Sequence, residues 1–252
     1  MVSNVICIIP ARSGSKSVAD KNIAPLGGFP IMAYSIAAAK LCQQVDRVMI
    51  STDSRRYADI AQKFGAEVPF LRPENLSTDT STDRDFLLHA MQWLQTNEGH
   101  CPEYWLHLRP TTPLRESHLL GLAIEQIQMN EQATSLRSGH KSPESPLKWF
   151  TRDSDGCFRG LGDDDGRERY NLPKEHFPQV YIPDGYVDVV KASHILNHPT
   201  IHGDSMMGFV SPVCTEVDSP QELDYIRYQL EVNGSELLDY LQQHFSELKG
   251  CY

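Results

Sequence analysis

A chain of 252 residues with 40% hydrophobic content can bury a substantial core, and it suits one α/β domain with or without an insertion. Its formal charge of −10 argues against nonspecific nucleic-acid binding, which runs on phosphate neutralisation. No apolar run approaches the roughly 20 residues of a membrane span. The first apolar run is too short for an export signal and the six cysteines are scattered, so a cytoplasmic protein with free thiols and no zinc centre is expected.

Val5 to Pro10 (VICIIP) has the apolar, β-branched character of a buried parallel strand. Ala11 to Asn22 follows as a polar loop with Arg12, Ser13, Gly14, Ser15, Lys16, Lys21 and Asn22. Three cations against one acid, Asp20, make this loop basic within an acidic protein. Backbone N–H groups in a tight loop, joined by Lys and Arg, are a natural phosphate site. The loop lacks the further glycines of a dinucleotide fingerprint. Asp53 ends the next strand as a ribose-binding acid would, but it lies far beyond the roughly 20 residues expected after the glycines. Gly14-Ser15-Lys16-Ser17 lacks the earlier glycine of a P-loop.

The pattern then alternates. Ile31 to Cys42 reads as an alanine-rich helix opened by Pro30, and Arg47 to Thr52 as a second strand. Arg55 to Phe64 reads as a helix closed by Gly65, and Glu67 to Leu71 as a short third strand. A polar loop over 72–82 leads to a helix over Asp83 to Gln95. Tyr104 to Leu108 is a fourth strand, followed by RPTTPLR at 109–115, where Thr112 is a candidate helix cap, and a helix over Glu116 to Met129. This alternation implies a Rossmann-like, mostly parallel sheet with helices on both faces. Ligands bind such sheets at the carboxyl ends of the strands, so the loops at 11–22, 72–82 and 109–115 should meet on one edge.

Composition changes near Gly139. Residues 140–185 carry five prolines and the run Asp163-Asp164-Asp165, and read as an inserted, β-rich arm within a single domain over 1–252. Strands at Tyr186–Val190 and Met207–Val210 follow, with a short helix at Ser193–Asn197 between them. Helices from Pro220 to about Glu231 and from Ser235 to Leu248 close the chain. Glu216 and Asp218 alternate along an extended segment, so both carboxylates point to one side. Facing a phosphate pocket, such a pair suits a hard divalent cation, Mg²⁺ or alternatively Mn²⁺.

The stretch IPARSGSKSVADKNI resembles the signature of the acylneuraminate cytidylyltransferase family. Further matches fall in that family's order: STD at 51–53, LRPENL at 71–76, DT at 79–80, RPTTPLR at 109–115, LK at 147–148, RYNLP at 169–173, PDG at 183–185 and EVD at 216–218. The resemblance implies an enzyme that joins CTP to a nonulosonic, sialic-acid-like α-keto sugar acid and releases pyrophosphate. By motif position it implies catalytic roles for Arg12, Lys21 and Asp218. It implies nucleotide contacts from Ala11, Arg12, Ser13, Gly14, Lys16, Lys21, Asn22, Arg72, Ser81 and Thr82, with Arg72 donating to the cytosine edge. It implies sugar contacts from Arg109, Lys148, Arg169, Tyr181, Asp184 and Tyr186, a metal held by Asp218 and Glu216, and a homodimer built through the arm. The family commonly has Gln at the place of Arg109, Asp at Glu216 and Asn at Asp184. These departures cluster on the sugar side, which points to an acceptor other than N-acetylneuraminate, of legionaminic or pseudaminic type. The rival readings are a Kdo-type octulosonate cytidylyltransferase, a glycosyltransferase using D-x-D at 163–165, and a nucleotide-binding module without chemistry.

Overall fold

The computed structural model describes residues 5–162 and 166–252. The expected D-x-D motif at 163–165 lies outside the described residues.

Strand β1 (Val5–Pro10) is buried almost end to end, as an apolar strand covered on both faces must be. A two-residue pair, β2 (Pro25–Leu26) and β3 (Phe29–Pro30), then turns the chain through Gly27 and Gly28, both at positive φ. Helix α1 (Ile31–Leu41) is buried from Ile31 through Ala39. Its alanines suit a helix enclosed by the sheet and by α2, α4 and α7 (ranges below). Strand β4 (Arg47–Ser51) lies parallel to β1. Helix α2 (Arg55–Lys63) is capped by Ser54, whose hydroxyl accepts from the Tyr57 N–H, and it stops where Gly65 adopts φ 82°.

The expected strand at Glu67–Leu71 does not form. Only Glu67 bridges to Met49, because Pro69 cannot donate to a ladder. Helix α3 (Asp83–Asn97) opens with a capping box between Thr82 and Asp85. Strand β5 (Tyr104–His107) is parallel to β1, and helix α4 (Ser117–Gln128) follows. Thr112 does not cap it; its hydroxyl donates to the Asp184 carbonyl.

Strand β6 (Ser135–Lys141, SLRSGHK) was not expected, for it shows no apolar alternation. Its inward residues Ser135 and Ser138 are buried, with their hydroxyls donating to the His202 carbonyl and the Asp184 carboxylate. The arm contains the antiparallel hairpin of β7 (Phe150–Arg152) and β8 (Phe158–Gly160). Strand β9 (Tyr181–Lys191) begins earlier than the expected Tyr186 and pairs antiparallel with β5 and β6, out to Lys141↔Tyr181. Residues 142–180 are therefore the excursion, narrower than 140–185. Helix α5 (Ala192–Asn197), strand β10 (Met206–Val210, parallel to β6), and helices α6 (Pro220–Asn233) and α7 (Glu236–Phe245) complete the chain.

The sheet order is β10-β6-β9-β5-β1-β4, with β9 alone reversed. One buried cluster joins the sheet to α1, α2, α4, α6 and α7, and a second joins the opposite face to α3 and α5. Among the described residues, no helix is long and apolar enough to cross a membrane.

Candidate active site

The carboxyl ends of β1, β4 and β5 open onto a cleft of about 400 Å³ lined from all three expected loops. The first loop is fixed by its own polar groups. The Ser13 N–H and hydroxyl both donate to Asp53, each at 2.7 Å, so Asp53 braces the loop. Ala11 is buried and its N–H donates to the Ser51 carbonyl, while Asn22 donates to the Arg12 carbonyl at 2.9 Å. Gly14 sits at φ 73° with open space around it, so backbone conformation, not crowding, favours glycine there. Asp20 is left-handed and accepts from the Tyr57 hydroxyl and from Arg56. These bonds hold Ser13 and Asp20 within the scaffold, and the cations Arg12, Lys16 and Lys21 line the cleft together with Ser15, Ser17 and Asn22.

Each of those cations faces a carboxylate. Arg12 pairs with Asp79 at 3.1 Å, and Lys16 reaches the other oxygen of the same Asp79. Lys21 donates to Asp218 at 2.9 Å. Glu216 accepts from the Thr111 hydroxyl, and Thr111 is itself a cleft residue. Glu216 and Asp218 thus stand at the cleft edge, each with one oxygen engaged, and Val217 between them is buried.

Arg72 is 5% exposed. Its Nε and Nη2 donate to the Ser51 hydroxyl and carbonyl, and the guanidinium lies 4.9 Å from the Phe86 ring centre. Burial lowers its pKa to about 10, with Asp53 and Asp83 acting the other way. Arg72 is therefore still charged at neutral pH. Ser81 and Thr82 also line the cleft. Ser81 accepts from the Thr78 N–H, and Thr82 caps α3.

The sugar-side residues divide. Arg109 lines the cleft, clamped between Asp188 at 2.9 Å and Asp83 at 2.8 Å. Burial works against its charge, and the two carboxylates more than offset that, so its pKa is raised. Asp188 is 1% exposed and lies across the sheet from His107 on β5 and Arg137 on β6, each 3.8 Å away. Burial, with the Arg109 charge behind it, pushes His107 down to about 4, so its imidazole is neutral at neutral pH.

Asp184 and Tyr186 depart from the expected sugar contacts. Asp184 is buried and takes bonds from Ser138, Ser211, His140 and the Tyr186 N–H. Burial alone would raise its carboxyl, and these donors together hold it below the usual range. Tyr186 is buried beside Val187 and Val189, and its hydroxyl accepts from the Glu116 N–H away from the cleft. The cause is Gly185 at φ 62°, which breaks the strand's alternation. Lys148 and Arg169 lie on the arm and Tyr181 is half exposed at its base, and none of the three lines the cleft of their own chain. Sequence reasoning missed Asp83 and Phe86, whose only signal lay in spatial neighbours. It passed over Asp79 although that residue begins the DT motif. His194 and His198, spaced H-x-x-x-H at the end of α5, stack with ring centres 4.8 Å apart.

A family model described as cytidylyltransferase matches residues 6–149. The N-acylneuraminate cytidylyltransferase of Escherichia coli O18:K1:H7 is 28% identical over 227 residues, 89% of this chain and 51% of that protein. A pseudaminic acid cytidylyltransferase of Campylobacter jejuni is 35% identical over 126 residues, covering 50% of this chain and 54% of that one. The matches thus span about half the length of these two relatives. The flagellin modification protein B of Campylobacter coli is 28% identical over 228 residues, 89% of this chain and 93% of that protein. In fold, the chain is similar to a CMP:2-keto-3-deoxy-manno-octonic acid synthetase solved with CTP, at a TM-score of 0.68 and 15% identity, covering 91% of this chain and 99% of that one.

Proposed function

Since this chain belongs to the acylneuraminate branch of the cytidylyltransferase family, we propose that it couples CTP to a nonulosonic α-keto sugar acid, giving the CMP-sugar and pyrophosphate. The observation that carries this reading is the meeting of Arg12, Lys16, Lys21 and Arg72 in one cleft, with two carboxylates at its edge. In the reaction the anomeric hydroxyl of the sugar attacks the α-phosphorus, a new P–O bond forms, and the bond to the β-phosphate oxygen breaks. Charge accumulates on the departing pyrophosphate, and Arg12, Lys16 and Lys21 neutralise it. Arg72 is held to Ser51 by one side of its fork, which suits it to donate with the other to the cytosine O2/N3 edge, where uracil presents a proton.

The donor set at the cleft edge fits Mg²⁺ or Mn²⁺. Glu216 and Asp218 offer oxygen, each keeps one carboxylate oxygen uncommitted, and Mg²⁺ commonly binds through one or two carboxylates plus substrate phosphates. When bound, such an ion would polarise the phosphoryl oxygens. Among the described residues there is no group of three or more His, Cys, Asp or Glu side chains that would cage an ion without substrate.

The arm presents Trp149, Phe150, Phe158, Leu161 and Leu172 to solvent, an apolar surface that a second copy of this chain would cover as a homodimer. Lys148, Arg169 and Tyr181 would then serve the partner's cleft and pair with the sugar carboxylate. CTP as a substrate puts the reaction in the cytoplasm. Arg109 is bulkier than the Gln common in relatives and is already neutralised, which favours a legionaminic- or pseudaminic-type acceptor over N-acetylneuraminate. The test is pyrophosphate release from CTP with Mg²⁺ across N-acetylneuraminate, diamino nonulosonates and Kdo. Sugar-dependent release fastest with a diamino nonulosonate is expected. Release with Kdo alone, or none, would overturn the proposal.

A further inference from the structure

Among the described residues, Asp79 is the one carboxylate in the cleft that engages two of the three cations at once, one oxygen on Arg12 and the other on Lys16. It mimics the way a phosphate bridges two cationic donors. Both cations hold the carboxyl of Asp79 below its usual range, Lys16 the more strongly.

Its position does not depend on those cations. The turn that carries Asp79 is closed by its own bonds: Thr78 N–H donates to the Ser81 hydroxyl at 3.0 Å, and the Thr78 hydroxyl lies 2.9 Å from that of Ser81 and 3.1 Å from that of Thr80. One residue further on, the capping box of α3 anchors the turn. An anion on so braced a turn stays beside the cations after a ligand has displaced it. Lys21, the third cation, is matched from the opposite edge by Asp218, so the two sides of the cleft are built differently.

We propose that Asp79 is an internal counter-ion that competes with the β- and γ-phosphates for Arg12 and Lys16, and so drives pyrophosphate off after transfer. The inference rests on the reading that these two cations take the CTP triphosphate. CTP must displace Asp79 to engage them, and the same contact re-forms when pyrophosphate leaves. Any ligand that uses Arg12 and Lys16 is weakened by one common factor. A ligand confined to the base, ribose and α-phosphate is not weakened at all. Asp79 therefore relaxes the grip on pyrophosphate without loosening the hold on the CMP half.

The test is calorimetric titration of wild type, Asp79→Asn and Asp79→Ala with CTP, inorganic pyrophosphate and CMP, first without divalent ion and then with Mg²⁺. Both variants should bind CTP and pyrophosphate more tightly, each by roughly threefold to tenfold as two exposed ion pairs allow, and CMP unchanged. The gain should shrink in 0.5 M salt, roughly five times the ionic strength at which the Debye length is about 10 Å. Under turnover, product inhibition by pyrophosphate should strengthen in the variants. Weaker or unchanged CTP and pyrophosphate binding in both variants, with or without Mg²⁺, or CMP tightening as much as CTP, would overturn the role of Asp79. Failure of wild type to bind CTP at all would instead strike the cytidylyltransferase reading beneath it.

Discussion

Replacing Asp188 by Asn tests the buried charge row under the cleft. Asp188 is 1% exposed and accepts from Arg109 at 2.9 Å, so the substitution leaves a guanidinium short of one partner. Breaking a buried ion pair by removing one side costs about 3–5 kcal/mol. Arg109 keeps Asp83 at 2.8 Å, with 40% of the Asp83 side chain exposed, so the cost falls to the bottom of that range or just below it. We expect a loss of about 2–3 kcal/mol, or roughly 4–12 °C in Tm for a chain of this size. Arg109→Gln should be costly too, since it leaves Asp188 buried with only Arg137 and neutral His107, each at 3.8 Å. The double variant removes both charges and should be less destabilised than the sum of the singles, with a coupling of about 1–3 kcal/mol. Urea unfolding followed by two probes measures all four corners of the cycle. Single losses under about 0.5 kcal/mol that simply add would refute the row as a coupled charge network.

Three further outcomes follow from the same geometry. Lys21→Ala and Asp218→Ala should each lower CTP turnover by at least about a hundredfold while leaving Tm nearly unchanged, because Asp218 is 66% exposed and Lys21 opens onto the cleft. Wild-type-like rates would remove both from the mechanism. Arg72→Lys should erode the preference for CTP over UTP, seen in the ratio of kcat/KM, because an ammonium cannot hold Ser51 and the base edge together. Finally, His107 is held down to about 4 when folded, while an unfolded histidine titrates near 6.5. Between those values the unfolded chain binds more protons, so its contribution to stability is full above about pH 6.5 and is lost as pH falls toward 4. His107→Gln should flatten that slope in urea midpoints, and an unchanged slope would exclude His107 as its source.

Much of this was legible in the chain. The strands β1 and β4 and the helix α1 announce themselves through apolar runs, because elements buried on every side have no polar positions to spare. The basic loop was legible because Arg12, Lys16 and Lys21 are an anomaly in an acidic protein. Strand β6 was not, since its buried positions are serines satisfied by His202 and Asp184, partners more than forty residues away. The places of Asp184 and Tyr186 were misread because one left-handed glycine shifts which face each residue meets. The clamp on Arg109 was invisible for a similar reason, as Asp83 and Asp188 come from different elements and only the folded sheet brings them together.

The most direct test of the account follows the oxygen atoms. A nonulosonic acid freshly labelled with ¹⁸O at its anomeric hydroxyl is mixed with CTP, Mg²⁺ and the protein, and the products are read by ³¹P NMR isotope shift. Attack by the sugar on the α-phosphorus predicts the label in the bridge between sugar and CMP, with unlabelled pyrophosphate released one for one. Label in pyrophosphate, or CTP left intact with every nonulosonate tried, would contradict it.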